Sequence, residues 1–170
     1  MPTLPIIISN NRGFTLVELA IVLFVIALTA SLTLPLFGKV GDAELHTAGR
    51  RLSGTIKYLY NEAVLEKSIH RLTFDLDHAS YVAQRREING EWSELPSDMG
   101  KRELPGTVSI ARVTINGRGS VTSGAVSMQI YPAGWLDETI LYLQDGEYKQ
   151  TLRISALTGT TEFYDGHREF

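Results

Sequence analysis

Glu18 poses the sharpest chemical question in this chain. The twenty-four residues from Phe14 to Phe37 carry no other formal charge. A carboxylate at the centre of a membrane-inserted helix costs on the order of 2.5–3.5 kcal/mol, and less near an interface. The residues alone leave two outcomes open. Either Glu18 lies near the headgroups and reaches water, or it meets a positive group supplied by another chain.

Other groups offer less. Asp75, Asp77 and His78 stand close together, but they lack the twelve-residue spacing of a calcium loop. His46, His70 and His167 have no His, Cys or paired carboxylate at ligand spacing, and the sequence contains no cysteine. The glycine-rich stretch Asn116–Gly124 lacks the Gly-Lys-Ser/Thr ending that holds phosphate and magnesium. No Gly-x-Ser-x-Gly elbow occurs. A Ser/His/Asp triad assembled by folding stays open. No catalytic residue, metal, cofactor or small-molecule substrate is assigned, and an enzyme is not expected.

The element that must position Glu18 is the apolar run itself. Roughly 20 apolar residues span a bilayer as a helix, so residues 14–37 are long enough to cross with some tilt. The run differs from a Sec signal peptide, whose apolar region of about 7–15 residues ends at a small-residue cleavage site. Here the conspicuous small residue, Gly13, comes before the run. Arg12 and Lys39 flank it and set no clear orientation.

Gly13-Phe14-Thr15-Leu16-Val17-Glu18, followed by an apolar run with Pro35 near its end, resembles the class III signal of type IV pilins and type II secretion pseudopilins. The resemblance implies a leader at 1–13 removed by a prepilin peptidase, which cuts after Gly13 and methylates the new amine of Phe14. It also implies that Glu18 pairs with the terminal amine of a neighbouring subunit, with Glu18 and Pro35 as the assembly residues. Residues 14–37 would then be a single-pass transmembrane and assembly helix in the bacterial inner membrane. Residues 38–170 would form a domain in the periplasm. The leader departs from the usual short basic pattern: it carries Leu4-Pro5-Ile6-Ile7-Ile8 and no Lys or Arg before Arg12.

Downstream, Leu45, Ala48, Leu52, Ile56, Leu59 and Ala63 recur at three- and four-residue steps, the stripe of an amphipathic helix over about 38–67. Arg50, Arg51, Lys57, Glu62 and Glu66 fall on its other faces. Pro35 is expected to kink the helix, and glycines at 38 and 41 to loosen it. The period then changes to that of strands. Leu72, Phe74 and Leu76 alternate ahead of Tyr81-Val82-Ala83, and the turns Asn89-Gly90 and Asp145-Gly146 predict hairpins. Residues 95–106 read as loop, and residues 108–164 as a second sheet-like block containing Val126, Met128 and Ile130. The class is α+β, a long amino-terminal helix packed on antiparallel sheet.

This order is similar to the H-type minor pseudopilins and the FimT-like minor pilins, which form one family. Supporting residues are Leu72-Thr73-Phe74-Asp75, Tyr131-Pro132-Ala133-Gly134 and Leu157-Thr158-Gly159. The resemblance implies a structural subunit of the type II secretion pseudopilus, with other pseudopilins and the prepilin peptidase as partners. A FimT/FimU-like minor pilin, acting in pilus assembly or DNA uptake, is the alternative. A membrane-anchored enzyme or binding module is a third class. Net charge over 38–170 is −3, from fifteen basic and eighteen acidic residues, and no block is strongly basic. Nucleic acid is therefore not an expected partner.

Overall fold

The computed structural model describes residues 15–37, 40–96 and 99–170, with side chains over 15–29, 43–96 and 99–170. Gly13, Phe14 and the glycine expected to loosen the chain at 38 lie outside the described residues. The chain divides into two compact units, residues 1–39 and 40–170.

In the first unit, helix α1 spans Leu16–Phe37. Pro35 lies within it, two residues before its last, and its side chain is outside those described. No side chain from Leu16 to Thr29 is buried: Leu16 is 86% exposed, Phe24 67% and Ile26 56%. Apolar groups on every side, rather than on one stripe, mark a helix that needs an apolar medium or other helices around it. Among the described residues, no helix is long and apolar enough to cross a membrane.

The second unit opens with helix α2, Val40–Glu66. All six residues of the predicted stripe, Leu45 to Ala63, are buried. They pack on strands of two antiparallel sheets. The strands are β1 (His70–Asp75), β2 (Ser80–Arg86), β3 (Trp92–Glu94), β4 (Lys101–Glu103), β5 (Ser109–Ile115), β6 (Gly119–Val121), β7 (Ala125–Tyr131), β8 (Trp135–Leu136), β9 (Thr139–Asp145), β10 (Tyr148–Ile154) and β11 (Thr161–Asp165). One sheet, sheet A, runs β3-β2-β1-β7-β8 with β4 also on β2; the other, sheet B, runs β11-β10-β9-β5-β6. Helix α2 touches β1 and β7 of sheet A and β9 and β10 of sheet B, so it closes one core shared by both.

Both predicted hairpin turns are present, at Asn89-Gly90 between β2 and β3 and after Asp145 between β9 and β10. Two expectations are corrected. Residues 95–106, read as loop, contain β4, which pairs Lys101 with Val82 and Glu103 with Ser80. Strand β7, read into the second block, instead pairs with β1, placing Met128 opposite Leu72 and Val126 opposite Phe74. The reason is burial. Met128 and Ile130 are fully buried, and their alternation matches Leu72 and Phe74 across one face under α2.

Two glycines of α2 separate packing from propensity. An alanine methyl at Gly49 would lie 2.7 Å from Gln150 Oε1 and 2.9 Å from the Phe163 ring, whereas at Gly54 nothing lies within 4 Å. Gly54→Ala is therefore expected to raise stability by about 0.5–1 kcal/mol through helix propensity. Gly49→Ala is expected to lower it by about 1–3 kcal/mol through overpacking. Thermal unfolding of the two variants checks the difference in sign.

Candidate assembly site

Thr15 immediately precedes α1, which begins at Leu16. The Glu18 N–H donates to Thr15 Oγ1 at 3.2 Å, and the Thr15 N–H donates to Glu18 Oε2 at 3.5 Å. This is a capping box: two backbone donors that a helix start leaves unsatisfied are each given an acceptor. A carboxylate in the first turn also complements the positive end of the helix dipole. So Glu18 has a local partner in the single chain, although both bonds are long and exposed. In sequence, Thr15, whose N–H donates to this carboxylate, directly follows the residue on which cleavage after Gly13 would create an amine. Thr15-x-x-Glu18 is a helix-start signature in the sequence, masked by the apolar surroundings of Glu18.

The second unit gathers no catalytic or metal constellation among the described residues. Asp75 and His78 do meet, with His78 Nδ1 at 2.9 Å from Asp75 Oδ2, and that bond holds the Asp75 carboxyl below its usual range. However, Asp75 Oδ1 also accepts from the backbone N–H groups of Asp77 and His78, and Asp77 Oδ2 accepts from the Gly124 N–H. These groups close the β1–β2 turn. Among the described residues, no three His, Cys, Asp or Glu side chains are placed to hold a metal.

The histidines separate by burial. His46 Nδ1 lies 2.9 Å from Gln150 Nε2, tying α2 to β10. His167 packs edge-on against Tyr142. His70 is fully buried where α2 passes into β1. Its Nδ1 lies near the Ser68 carbonyl, while its Nε2 has no hydrogen bond and sits 3.6 Å from a Glu66 oxygen. Burial pushes its pKa below 6.5, against the opposing pull of the Ser68 carbonyl, Glu66 and Glu62; Arg85 adds to the lowering.

An unfolded chain therefore takes up the His70 proton at a higher pH than the folded one. The stability this histidine contributes is complete above its ordinary pKa of about 6.5 and is lost as pH falls below it. His167 is shifted in the same direction, mainly by burial. Wild-type protein is expected to lose stability between about pH 7 and pH 5, and His70→Gln to lose less. Denaturant titrations at the two pH values measure the difference. Equal losses in both proteins would assign the acid sensitivity to other groups.

Tyr60 fixes how α2 meets the far loops. Its hydroxyl lies 2.7 and 2.8 Å from the carbonyls of Gly134 and Leu157, which share its one proton. Its ring lies 2.9 Å from where a methyl on Gly159 would stand, and Gly159 has a φ of +62°, so only glycine suits this closing turn. The soft motifs Tyr131–Gly134 and Leu157–Gly159 thus converge on one helix residue that sequence reasoning missed.

Residues 8–34 match the family described as the prokaryotic N-terminal methylation motif. Two curated relatives are each called type II secretion system protein H. The one from Aeromonas hydrophila is 31% identical over 105 residues, covering 60% of this chain and 57% of its own length. The chain thus spans little more than half of that relative. The one from Pseudomonas aeruginosa is 29% identical over 138 residues, covering 81% of this chain and 78% of its own. Two structures of the minor pseudopilin EpsH from the type 2 secretion system of Vibrio cholerae share the fold. Their TM-scores are 0.61 and 0.59, each at 12% identity, covering 74% and 75% of this chain and 99% and 98% of theirs.

A methylation motif leading into an apolar helix precedes a helix that closes two antiparallel sheets, a fold shared with the EpsH structures. The chain is similar to proteins called type II secretion system protein H and shares the fold of the minor pseudopilin EpsH.

Proposed function

We propose that this chain is a structural, non-enzymatic subunit of the type II secretion pseudopilus and serves protein secretion across the outer membrane. The observation that carries the reading is the methylation motif at 8–34 joined to an H-type fold. On this reading a prepilin peptidase removes residues 1–13 and methylates Phe14. Residues 14–37 hold the subunit in the inner membrane before assembly, and residues 38–170 work in the periplasm.

Leaving the bilayer for a filament, a helix with apolar groups on every side must be buried again, and a bundle of like helices from other pseudopilins does that. Inside such a bundle an unpaired Glu18 would cost several kcal/mol, so the amine that cleavage exposes on a neighbour is its natural partner. Pro35, inside α1, belongs to the same bundle-forming segment. The absence of a basic block over 38–170 favours secretion over DNA capture, which needs phosphate contacts.

Deleting the gene is expected to block release of secreted enzymes while leaving natural transformation intact. The mature protein is expected to have the intact mass of an N-methylated chain beginning at Phe14. Normal secretion without the gene would overturn the proposal, and so would a full-length mass in assembled material.

A further inference from the structure

The outer face of sheet B, turned away from α2, carries a row of side chains that the secretion reading does not use. Register places Arg112 of β5 opposite Tyr142 of β9, Tyr142 opposite Thr151 of β10, and Thr151 opposite Tyr164 of β11. Residues 166–170 fold back over this row. Gly166 donates to the Lys149 carbonyl at 2.8 Å, Thr151 Oγ1 donates to the Gly166 carbonyl at 2.7 Å, and the Arg168 N–H donates to Thr151 Oγ1 at 2.9 Å.

Beyond that hinge two side chains sit as a ligand would. The Glu169 carboxylate accepts from the Arg112 guanidinium and, at 3.3 Å, from the Tyr142 hydroxyl. The Phe170 ring lies 5.1 Å from Tyr164 and 5.1 Å from the Arg153 guanidinium. Arg112 in turn stacks on Tyr142 at 4.0 Å. The floor is drier than its cover: Tyr142 is 1% exposed and the Arg112 and Arg153 side chains 30% and 40%, whereas the Glu169 side chain is 75% exposed and Phe170 53%. Such a cover gains little burial of its own, although it shields a tyrosine and an arginine that would otherwise face water.

We infer that this row is a docking slot for an acidic–aromatic peptide segment of a partner chain, which residues 166–170 fill in the lone subunit. Arg112 and Tyr142 read a carboxylate in the slot, and Arg153 and Tyr164 read the aromatic ring beside it. Phe170 also forms one wall of a groove of about 270 Å³ that continues past Asn116, Glu138 and Ile140, so a longer segment has room to run on. That the partner is a neighbouring filament subunit rests on the pseudopilin reading. The slot itself does not, so the binding test below stands even if that reading fails.

The probe is a labelled peptide, Asp-Gly-His-Arg-Glu-Phe, titrated against the full chain in detergent and against the same chain lacking residues 166–170. A tethered segment competes at millimolar effective concentration, so the shortened chain is expected to bind at least about ten-fold more tightly. Arg112→Gln in the shortened chain, or Glu to Gln in the peptide, is expected to remove most of that binding. Equal affinity for both chains, or indifference to Arg112 and to the peptide carboxylate, would overturn the slot. Binding that occurs only between two copies of the chain, with no response to free peptide, would also overturn it.

Should the shortened chain fail to fold, hydrogen exchange on the intact chain decides the matter. The Arg168 amide is expected to exchange at least about a hundred-fold faster than the ladder amides of β10, through local opening. Exchange at the same rate as β10 would make the segment part of the fold and refute the inference.

Discussion

Glu18→Ala and Glu18→Gln are both expected to reduce incorporation into filaments at least ten-fold while leaving the thermal transition of residues 40–170 unchanged. The pair is informative because of the capping box. Glutamine at the third helical position still reaches back to the Thr15 N–H, so Glu18→Gln retains the cap and removes only the charge. Alanine removes both, at a local cost of about 0.5–1 kcal/mol to the start of α1. A charged partner in the filament therefore requires both variants to fail. If Glu18→Gln assembles normally and Glu18→Ala does not, the cap is what matters. If both assemble normally, Glu18 is a residue that merely reaches water. Membrane insertion of both variants is expected to be easier, since a costly group has gone. Counting subunits in sheared filaments by quantitative immunoblot separates these outcomes.

Phe74→Ala is expected to cost about 3–5 kcal/mol and to lower Tm on the order of 10 °C. Phe74 is fully buried in the middle of sheet A, paired with Tyr81 of β2 on one side and Val126 of β7 on the other. Losing the ring leaves a cavity that neither neighbouring strand can collapse into without breaking register. Leu157→Ala, at a side chain 75% exposed, is the matched control and is expected to change stability by less than about 0.5 kcal/mol. Thermal unfolding of the full chain in detergent measures both. A small loss for Phe74→Ala would mean that the two sheets do not share the core described above.

Some of this molecule was legible in the sequence, for identifiable reasons. The α2 stripe was plain because a 3.6 period over nineteen residues, Leu45 to Ala63, has no competing reading. The hairpins at Asn89-Gly90 and Asp145-Gly146 were plain because their turns need residues that tolerate positive φ. Strand β7 was misgrouped because alternation says that a strand has a buried face without saying which sheet it joins. Strands β4 and β6 have three residues each and lie among prolines and glycines, where local signals favour loop. The row on sheet B was illegible for a different cause. Arg112 meets Tyr142 only because the register shifts between Ile110 and Arg112, and a one-residue irregularity inverts the facing of everything after it.

The position of β7 also sets an order of events. Strand β1 lies between β2, its neighbour in sequence, and β7, whose Ile130 pairs with His70 sixty positions earlier. Until residue 131 is available, the β1–β2 hairpin presents an open, apolar edge that any extended segment nearby can pair with. Pairing across so long a loop is slow compared with hairpin closure. On the proposed function, a chain emerging from a membrane with residues 70–75 already extended is therefore vulnerable until residue 131 is delivered. The strand that closes sheet A thus acts as a timing element: on the proposed function, the chain is safe beside other subunits only once residues up to 131 have arrived.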